Sequence, residues 1–430
     1  MENSIFTLVF LTLFSLGSHA QTVEFDNAGG DGKWSNTANW IGGALPTDAN
    51  TVKISSSGKS SMDADLTILQ MVSVADTQII ENGGKTLTID RGQPQWGIMI
   101  NEVDSGGYLK VDCDVVFDNN TDGANQLYLQ ANGEYTTVEM GENSTLELIT
   151  RGQTAGKGEG VKVLLNGKIF GDGPFFFGPG TTGNEFGSTA DLSGLIGEVR
   201  LINGSKAIVN MADDAIFRGK GHKLQANTMA VPGELTLNGA NNFQGYFKLV
   251  EGSELIVNVN ANQPDMDSIV FEPNSTLILN LDSAVTDVTF GDNSMWDWST
   301  SKFVINNFRS NVISFGGLTN AQLDSSIIAI DGNNDTIAIE LTAFGFLQEV
   351  GYVSARAIED QTSKRITYPT VTSGMVYFNS SVNELKVINI AGTMVMQFNS
   401  IENDAIDLSN LTSGMYFILI EEKAERIIIR

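Results

Sequence analysis

A turn rich in glycine, asparagine and serine precedes a short apolar run again and again in the central part of the chain. In each instance, apolar residues alternate with polar ones, which is typical of a strand with one buried face. Six instances begin at residues 83, 106, 143, 203, 251 and 274. No long stretch shows helical periodicity. Short strands that recur in this way can bury their apolar faces when successive turns of chain stack, so the pattern predicts a β-solenoid of the parallel β-helix type.

The fold class that follows is all-β, with two domains. Residues 21–350 are expected to form the parallel β-helix, and residues 351–371 a linker. Residues 372–430 are expected to form a small antiparallel β-sandwich, because runs such as 416–420 are β-branched and aromatic and are separated by glycine-containing turns.

The first twenty residues have the pattern of a cleavable signal peptide. Residues 5–16 are almost entirely apolar, which suits a signal sequence and is too short for a membrane span. Ser18 and Ala20 are small residues at the two positions that a signal peptidase inspects, so we expect cleavage before Gln21. No later segment is long and apolar enough to predict a transmembrane helix. These features predict an exported protein.

The composition narrows the classes of partner. Asp and Glu total 51 against 25 Lys and Arg, for a formal net charge of -26. Such a surface repels nucleic acid and anionic lipid, and it is compatible with Ca²⁺ or cationic partners. A solvated acidic surface that keeps a secreted protein soluble is the favoured interpretation.

Cysteine and histidine are too rare for several kinds of site. Cys113 is the only cysteine, so there is no intramolecular disulfide, and its strand pattern predicts a small apolar core residue. His222 is the only histidine after residue 20, which excludes zinc sites rich in histidine or cysteine. No Gly-x-Ser-x-Gly element accompanies it, so a loop histidine without a catalytic role is favoured over a Ser-His-acid triad.

The end of the chain carries a recognisable motif. A strand runs into a glycine turn, a Leu-x-x-Gly-x-Tyr element follows, and a final apolar strand closes on a basic residue. The residues concerned are Gly392, Leu411, Gly414, Tyr416 and Arg430. This combination resembles the C-terminal type A sorting domain of the type IX secretion system. The resemblance implies that the segment is an address read by the secretion machinery, and that the protein reaches the cell surface or the medium.

Four other segments resemble autotransporter-type passenger proteins. Residues 233–258 are similar to a passenger repeat, with Leu-Thr-Leu-x-Gly-x-Asn-x-Phe-x-Gly followed by Gly-x-Leu-x-Val, and residues 190–210 form a weaker copy. Residues 296–323 resemble the closing region of such proteins, and residues 30–52 resemble their start. The resemblance implies a β-helix with a cap at each end, whose role is to project and make contact.

Tryptophans are candidates for sugar binding, because an aromatic face suits the apolar face of a pyranose. The alternative is a cap that plugs an end of the solenoid, and the position of Trp34 and Trp40 near the start of the mature chain favours the cap. The same interpretation is favoured for Trp96, Trp296 and Trp298, the last two on one side of a strand.

Acidic clusters are weak candidates for Ca²⁺, the one cofactor considered. Asp118 with Asp122, and Asp331 with Asp335, have oxygen-rich, turn-forming spacing that fits neither an EF-hand nor a Gly-Gly-x-Gly-x-Asp repeat. Asp26 and Asp31 belong to the same group. Turns closed by aspartate side chains explain all of them, and that explanation is favoured.

Two functions remain open for the solenoid. A non-catalytic adhesive or structural role, with extracellular polysaccharides or cell-surface glycans as partners, is favoured because no nucleophile motif is present. A polysaccharide-degrading β-helix enzyme is the alternative. A lyase would need a base near bound Ca²⁺, and a hydrolase two carboxylates. No catalytic residue is predicted. Basic residues whose convergence would favour the enzyme are Arg151, Lys157, Lys162, Arg200, Arg218, Lys220 and Lys223.

Overall fold

The computed structural model divides into two compact units, Met1–Val350 and Gly351–Arg430. The predicted signal peptide lies outside the described residues, as does most of the predicted linker. The structure describes residues 21–90, 97–101, 106–118, 126–178, 183–202, 204–212, 215–217, 224–227, 231–243, 246–342, 345–350, 367–368, 371–372, 374–378, 385–389, 393–398, 405–420 and 423–429.

The described residues of the first unit form short strands, one 3-10 turn (Thr37–Asn39) and one helix, α1 (Asn320–Ser326). Its strands are, in chain order, β1 (Gln21–Phe25), β2 (Asn50–Ile54), β3 (Gly58–Met62), β4 (Leu66–Ile68), β5 (Gln70–Ser73), β6 (Thr77–Ile89), β7 (Ile98–Ile100), β8 (Tyr108–Phe117), β9 (Gln126–Asn132), β10 (Thr137–Met140), β11 (Thr145–Leu148), β12 (Arg151–Lys157), β13 (Lys162–Leu165), β14 (Lys168–Phe170), β15 (Phe175–Phe177), β16 (Gly183–Phe186), β17 (Val199–Ile202), β18 (Lys206–Val209), β19 (Ile216–Phe217), β20 (Leu224–Asn227), β21 (Gly233–Leu237), β22 (Asn242–Phe243), β23 (Tyr246–Leu249), β24 (Glu254–Val259), β25 (Ser268–Phe271), β26 (Thr276–Leu281), β27 (Val288–Asp292), β28 (Lys302–Asn306), β29 (Ile313–Gly316), β30 (Ile327–Ile330), β31 (Thr336–Ile337), β32 (Ile339–Leu341) and β33 (Leu347–Glu349).

These strands stack into a β-solenoid of about 11 turns, which confirms the all-β fold prediction. One sheet has 11 strands in the order β1-β2-β5-β7-β9-β12-β15-β17-β20-β23-β25, all paired in parallel. A second sheet of 16 strands runs from β14 through β8, β16 and β24 to β30 and β31. Two short parallel pairs, β19–β22 and β27–β29, lie outside these sheets. From β5 to β25, each turn of chain therefore contributes at least one strand to each large sheet.

Alternation along the strands places one apolar row inside the solenoid. In β8, Leu109, Val111, Cys113, Val115 and Phe117 are fully buried, while the residues between them are half-buried on the outer face. The inward rows of successive turns form one continuous core. A fully buried aliphatic or aromatic side chain contributes about 1.5–3 kcal/mol. The prediction that Cys113 is a small apolar core residue is confirmed, and burial raises the pKa of its thiol to about 12.

A recurrent corner connects the two large sheets. Gly252 and Asn274 adopt left-handed backbone, with φ of 68° and 60°, as the corner requires. The residue that follows each is a buried serine. Ser253 Oγ donates to the Val250 carbonyl at 2.7 Å, and Ser275 Oγ donates to the carbonyl three residues before it at 2.6 Å. The glycine or asparagine and serine of the repeated sequence pattern thus close the turn and satisfy its buried polar groups.

Aromatic residues close the N-terminal end of the solenoid. Phe25, Trp34 and Trp40 are buried against one another, with ring centroids 5.0–5.6 Å apart. Trp34 Nε1 donates to Ser60 Oγ at 3.0 Å, and Trp40 Nε1 donates to the Trp34 carbonyl at 2.9 Å. Neither indole presents a face to solvent, so the structure supports the cap and not a sugar platform.

The C-terminal end of the solenoid is closed by α1 and two antiparallel pairs, β30–β31 and β32–β33. Thr319 and Gln322 form a capping box at the start of α1. The Gln322 amide also donates to the carbonyls of Asn293 and Trp296, at 2.9 and 2.7 Å. The helix is therefore tied to the preceding turn of the solenoid.

The prediction that Trp296 and Trp298 share a strand is wrong. Both lie in the loop between β27 and β28, where Trp298 is fully buried beside Phe303 and Trp296 is half-buried against Tyr246. The loop allows the two indoles to point in different directions, which a strand would not. Trp96 lies outside the described residues.

The second unit is a small β-sandwich. Its strands are β34 (Thr367–Tyr368), β35 (Val371–Thr372), β36 (Met375–Phe378), β37 (Leu385–Asn389), β38 (Met394–Phe398), β39 (Ala405–Asp407), β40 (Gly414–Ile420) and β41 (Lys423–Ile429). They form a three-stranded sheet, β34-β36-β39, and a five-stranded sheet, β35-β41-β40-β37-β38. The two sheets share one core, and the strands pair antiparallel except for β35 with β41.

Candidate functional site

The acidic pair Asp331 and Asp335 forms a hairpin turn between β30 and β31. Asp331 Oδ1 accepts the backbone N–H groups of Asn333 and Asp335, at 2.8 and 2.9 Å. The N–H groups of Asp335 and then Asn333 hold the pKa of the Asp331 carboxyl below its ordinary value. This arrangement is the aspartate-closed turn that the sequence analysis favoured.

The other acidic pair is only partly described. Asp122 lies outside the described residues. Asp118 follows β8 and lies beside Asp90, which follows the neighbouring strand β6, and its Oδ1 atom is buried without a hydrogen-bond partner in the described region. Burial raises the pKa of the Asp90 carboxyl, and the negative charges of Asp118 and Asp48 raise it further. Two carboxylates thus lie close together on adjacent turns.

Asp26 and Asp31 also close turns. Asp26 Oδ1 accepts the backbone N–H of Ala28, and Asp31 accepts from the Lys33 backbone and from the Asn36 and Asn39 amides. Within the described ranges, no three histidine, cysteine, aspartate or glutamate side chains are grouped so that they could hold a metal ion. The Ca²⁺ hypothesis therefore stays a prediction.

Two of the seven basic residues converge. Arg151 on β12 and Arg200 on β17 both stack on Phe176 of β15, with guanidinium carbons 4.8 and 4.9 Å from the ring centroid. Because β15 lies between β12 and β17, the ring is flanked by a cation from each neighbouring strand. Lys157 and Lys162 are exposed. Arg218, Lys220 and Lys223 lie outside the described residues, as does His222.

This arginine pair lies on the outer face of the 11-stranded sheet. Phe175 and Phe177 point into the core, so Phe176 points outward, yet it is only 5% exposed because the guanidinium groups cover it. Arg200 is paired with Glu198. In the described part of the chain, Arg151 has no carboxylate within ion-pair distance, and the Nε atoms of both arginines are buried without a hydrogen-bond partner.

Arg151 is the member of the pair whose guanidinium pKa is lowered. Burial lowers the pKa of its guanidinium, and the positive charge of Arg200 lowers it further, although Tyr128 acts in the opposite direction. Arginine is normally paired when it is removed from water, because an unpaired buried charge is costly. The pair therefore places positive charge on the face of a strongly acidic protein.

Asparagine side chains line the outer face of the 16-stranded sheet. Asn258, Asn280 and Asn306 are register partners on β24, β26 and β28. Asn280 Nδ2 donates to Asn258 Oδ1 at 2.8 Å, and Asn306 Nδ2 donates to Asn280 Oδ1 at 2.7 Å. We call these three residues the asparagine ladder. An amide both donates and accepts, so each asparagine can bond to the equivalent residue on either side.

A second set of asparagines continues this bonding. Asn238 donates to Asn210 at 2.6 Å, and Asn260 donates to Asn238 at 2.8 Å. Ion pairs also join adjacent turns, among them Lys206 with Glu234 at 2.7 Å. Sequence analysis did not single out these residues, although the Asn at the end of several repeats was a usable signal.

The sorting motif has a structural explanation in the second unit. Tyr416 is buried in the sandwich core, and its hydroxyl donates to the Thr412 carbonyl at 2.8 Å. Leu411 packs partly buried against the same core. Gly414 begins β40 with a positive φ of 159°. Gly392 and Arg430 lie outside the described residues.

The fold defines the chain as a β-solenoid protein with a separate C-terminal β-sandwich. Residues 367–430 match the family model described as the secretion system C-terminal sorting domain. Neither a curated protein nor a solved structure gives a significant match to the chain.

The sorting domain indicates secretion by the type IX system, to the cell surface or the extracellular space. Among the residues that the structure describes, no helix is long and apolar enough to cross a membrane. The machinery of that system is therefore one partner of the chain, through its C-terminal unit.

Proposed function

We propose that the exported solenoid is a non-catalytic adhesive or matrix-forming protein that contacts extracellular glycans. The observation that carries the proposal is the bonding of outward polar side chains from turn to turn. The asparagine ladder and the ion pairs between turns stiffen a stack whose core is already continuous. A stiff array of repeated polar groups suits many weak contacts better than a single chemical step.

Two further features support this role. The chain carries an address for the cell surface or the medium, where glycans are the abundant polymers. Its repeats resemble passenger stalks of autotransporters, which project and make contact. Exposed turn residues between the strands offer hydroxyl and amide groups for multivalent attachment.

The test is to incubate the full secreted protein with a panel of acidic and neutral polysaccharides, with and without Ca²⁺. Retention without a change in the polysaccharide supports the proposal, and heat-unfolded protein at the same concentration is the control. New reducing ends or unsaturated products overturn it in favour of the polysaccharide-degrading enzyme. Failure to bind any member of the panel would contradict the adhesive role.

A further inference from the structure

The arginine pair on the outer face of the 11-stranded sheet is positioned as a ligand site. Arg151 and Arg200 stack on Phe176 from the two neighbouring strands, so the ring holds both guanidinium groups in place. A cation held over an aromatic ring loses little further freedom when it binds a ligand. Its planar edge matches a carboxylate or sulfate group.

The charges in this site are incompletely paired. Arg200 forms an ion pair with Glu198 through one guanidinium nitrogen, while no described carboxylate lies within ion-pair distance of Arg151. The buried Nε atoms of both arginines lack partners in the described region. An anion bound at Arg151 would offset both the burial of the guanidinium and its repulsion by Arg200, the two effects that lower its pKa.

The placement of the arginines on separate turns suits an extended ligand. The strands that carry them are separated by two strand spacings, which amounts to about 9.5 Å along the solenoid axis. A polymer with anionic groups repeated along its length can place one group at each arginine.

We infer that Arg151 and Arg200 bind the uronate carboxylates or sulfate esters of an acidic polysaccharide. This inference rests on the proposed contact with extracellular glycans and names the class of ligand for one site. Nucleic acid is the less favoured polyanion, because both guanidinium groups cover Phe176 and leave no aromatic face on which a base could stack.

The experiment measures binding of the full secreted protein to polygalacturonate, dextran sulfate, neutral dextran and a single-stranded oligonucleotide. The test variant is Arg151→Gln, which removes the charge and keeps a polar side chain. The matched control is Lys157→Gln, which removes an exposed cation from the same strand. Arg151→Lys keeps the charge without the planar fork, and it serves as the second variant if the glutamine variant does not fold.

The expected result is that polygalacturonate or dextran sulfate binds, and that Arg151→Gln weakens this binding about tenfold or more, as loss of a charge-assisted hydrogen bond predicts. The affinity of Arg151→Lys should lie between those of the wild type and Arg151→Gln. Lys157→Gln should bind like the wild type. Polygalacturonate binding without dextran sulfate binding would identify the carboxylate as the ligand group, and the reverse would identify the sulfate.

The inference is overturned if folded Arg151→Gln and Arg151→Lys proteins bind acidic polysaccharide like the wild type, or if neither anionic polysaccharide binds. Binding of the oligonucleotide alone would also overturn it. If the inference fails but the wild type is retained on neutral dextran, the adhesive role still stands. The failure of this site is therefore distinguishable from the failure of the proposed function.

Discussion

Asn280 donates its side-chain amide to Asn258, its register partner one turn earlier in the solenoid and 22 residues away in sequence. Asn280 also accepts from Asn306 on the following turn. The residue therefore joins three turns through side chains alone, in addition to the backbone pairing of their strands.

Replacing Asn280 by alanine should destabilise the solenoid, since two side-chain hydrogen bonds are lost and two amides lose a partner. We expect a loss of roughly 1–2 kcal/mol in the free energy of unfolding. Thr276→Ala, on the same face of β26, is the control for removing a strand side chain. Urea denaturation followed by circular dichroism measures both variants, and equal losses would show that the ladder adds nothing.

Replacing Trp34 by alanine should open the N-terminal cap. The indole is fully buried between Phe25 and Trp40, and truncation of such a side chain costs about 3–5 kcal/mol. Exposed core at the end of a sheet also promotes association, so we expect a lower Tm and increased light scattering. Ile41→Ser, at an exposed position near the cap, should change neither. Loss of glycan binding with unchanged Tm would instead support the sugar platform.

Replacing Asp90 by asparagine should stabilise the protein at neutral pH. The raised pKa of Asp90 in the folded state means that ionisation opposes folding. The gain in Tm should be present at pH 7 and should disappear as the pH falls through the raised pKa towards the ordinary value of 3.8. The matched control is Asp331→Asn. It should lower the Tm at pH 7, because backbone N–H groups lower the pKa of Asp331. A gain for Asp90→Asn that persists below pH 3 would contradict the electrostatic explanation.

Cys113 should be inert in the folded protein. It is fully buried in the core, and its thiol pKa is raised to about 12, so almost no thiolate is present at pH 8. We expect no reaction with a thiol reagent at pH 8 until urea unfolds the solenoid, when the one cysteine of the chain should react fully. Rapid labelling of native protein would show that this turn opens locally.

Deletion of residues 367–430 should trap the protein inside the cell envelope, since the matched sorting domain is then absent. Within the domain, Tyr416→Phe removes the hydrogen bond to Thr412 and should cost about 1 kcal/mol, whereas Tyr416→Ala should empty part of the core and reduce export. Met415→Ser, at a neighbouring exposed position, is the control. Cell fractionation measures the outcome, and normal release of the deletion variant would show that the domain is not required for sorting.

The 16-stranded sheet could be predicted from sequence and the 11-stranded sheet could not. All six repeat instances fall on strands of the larger sheet, namely β6, β8, β11, β18, β24 and β26. Their alternation reflects one buried and one outer face. In the smaller sheet, β12 contains two glycines and little alternation, and β15 is apolar throughout because Phe176 is covered by arginines. Because the outward side chain of β15 is also apolar, the strand lacks the alternation of apolar and polar residues by which a strand is predicted.

The arginine pair could not be predicted from sequence for a related reason. Arg151 and Arg200 were recognised as candidate basic residues, but their convergence depends on the register that places Phe176 opposite Arg200. That register is set by the stacking of whole turns, which local patterns do not reveal. The acidic turns at Asp331 and Asp26 are local, and there the interpretation as Asx turns agrees with the structure.

The recurrent corner that is closed by Ser253 or Ser275 allows the solenoid to gain turns during evolution. Each corner, with Gly252 or Asn274 followed by its serine, is completed within one turn by a bond to a carbonyl three residues earlier. A duplicated stretch of DNA encoding one turn would therefore bring its own corner. It would lengthen the rod by about 4.8 Å without a new core design. Evolution can in this way change the length of the solenoid in small, nearly equal steps.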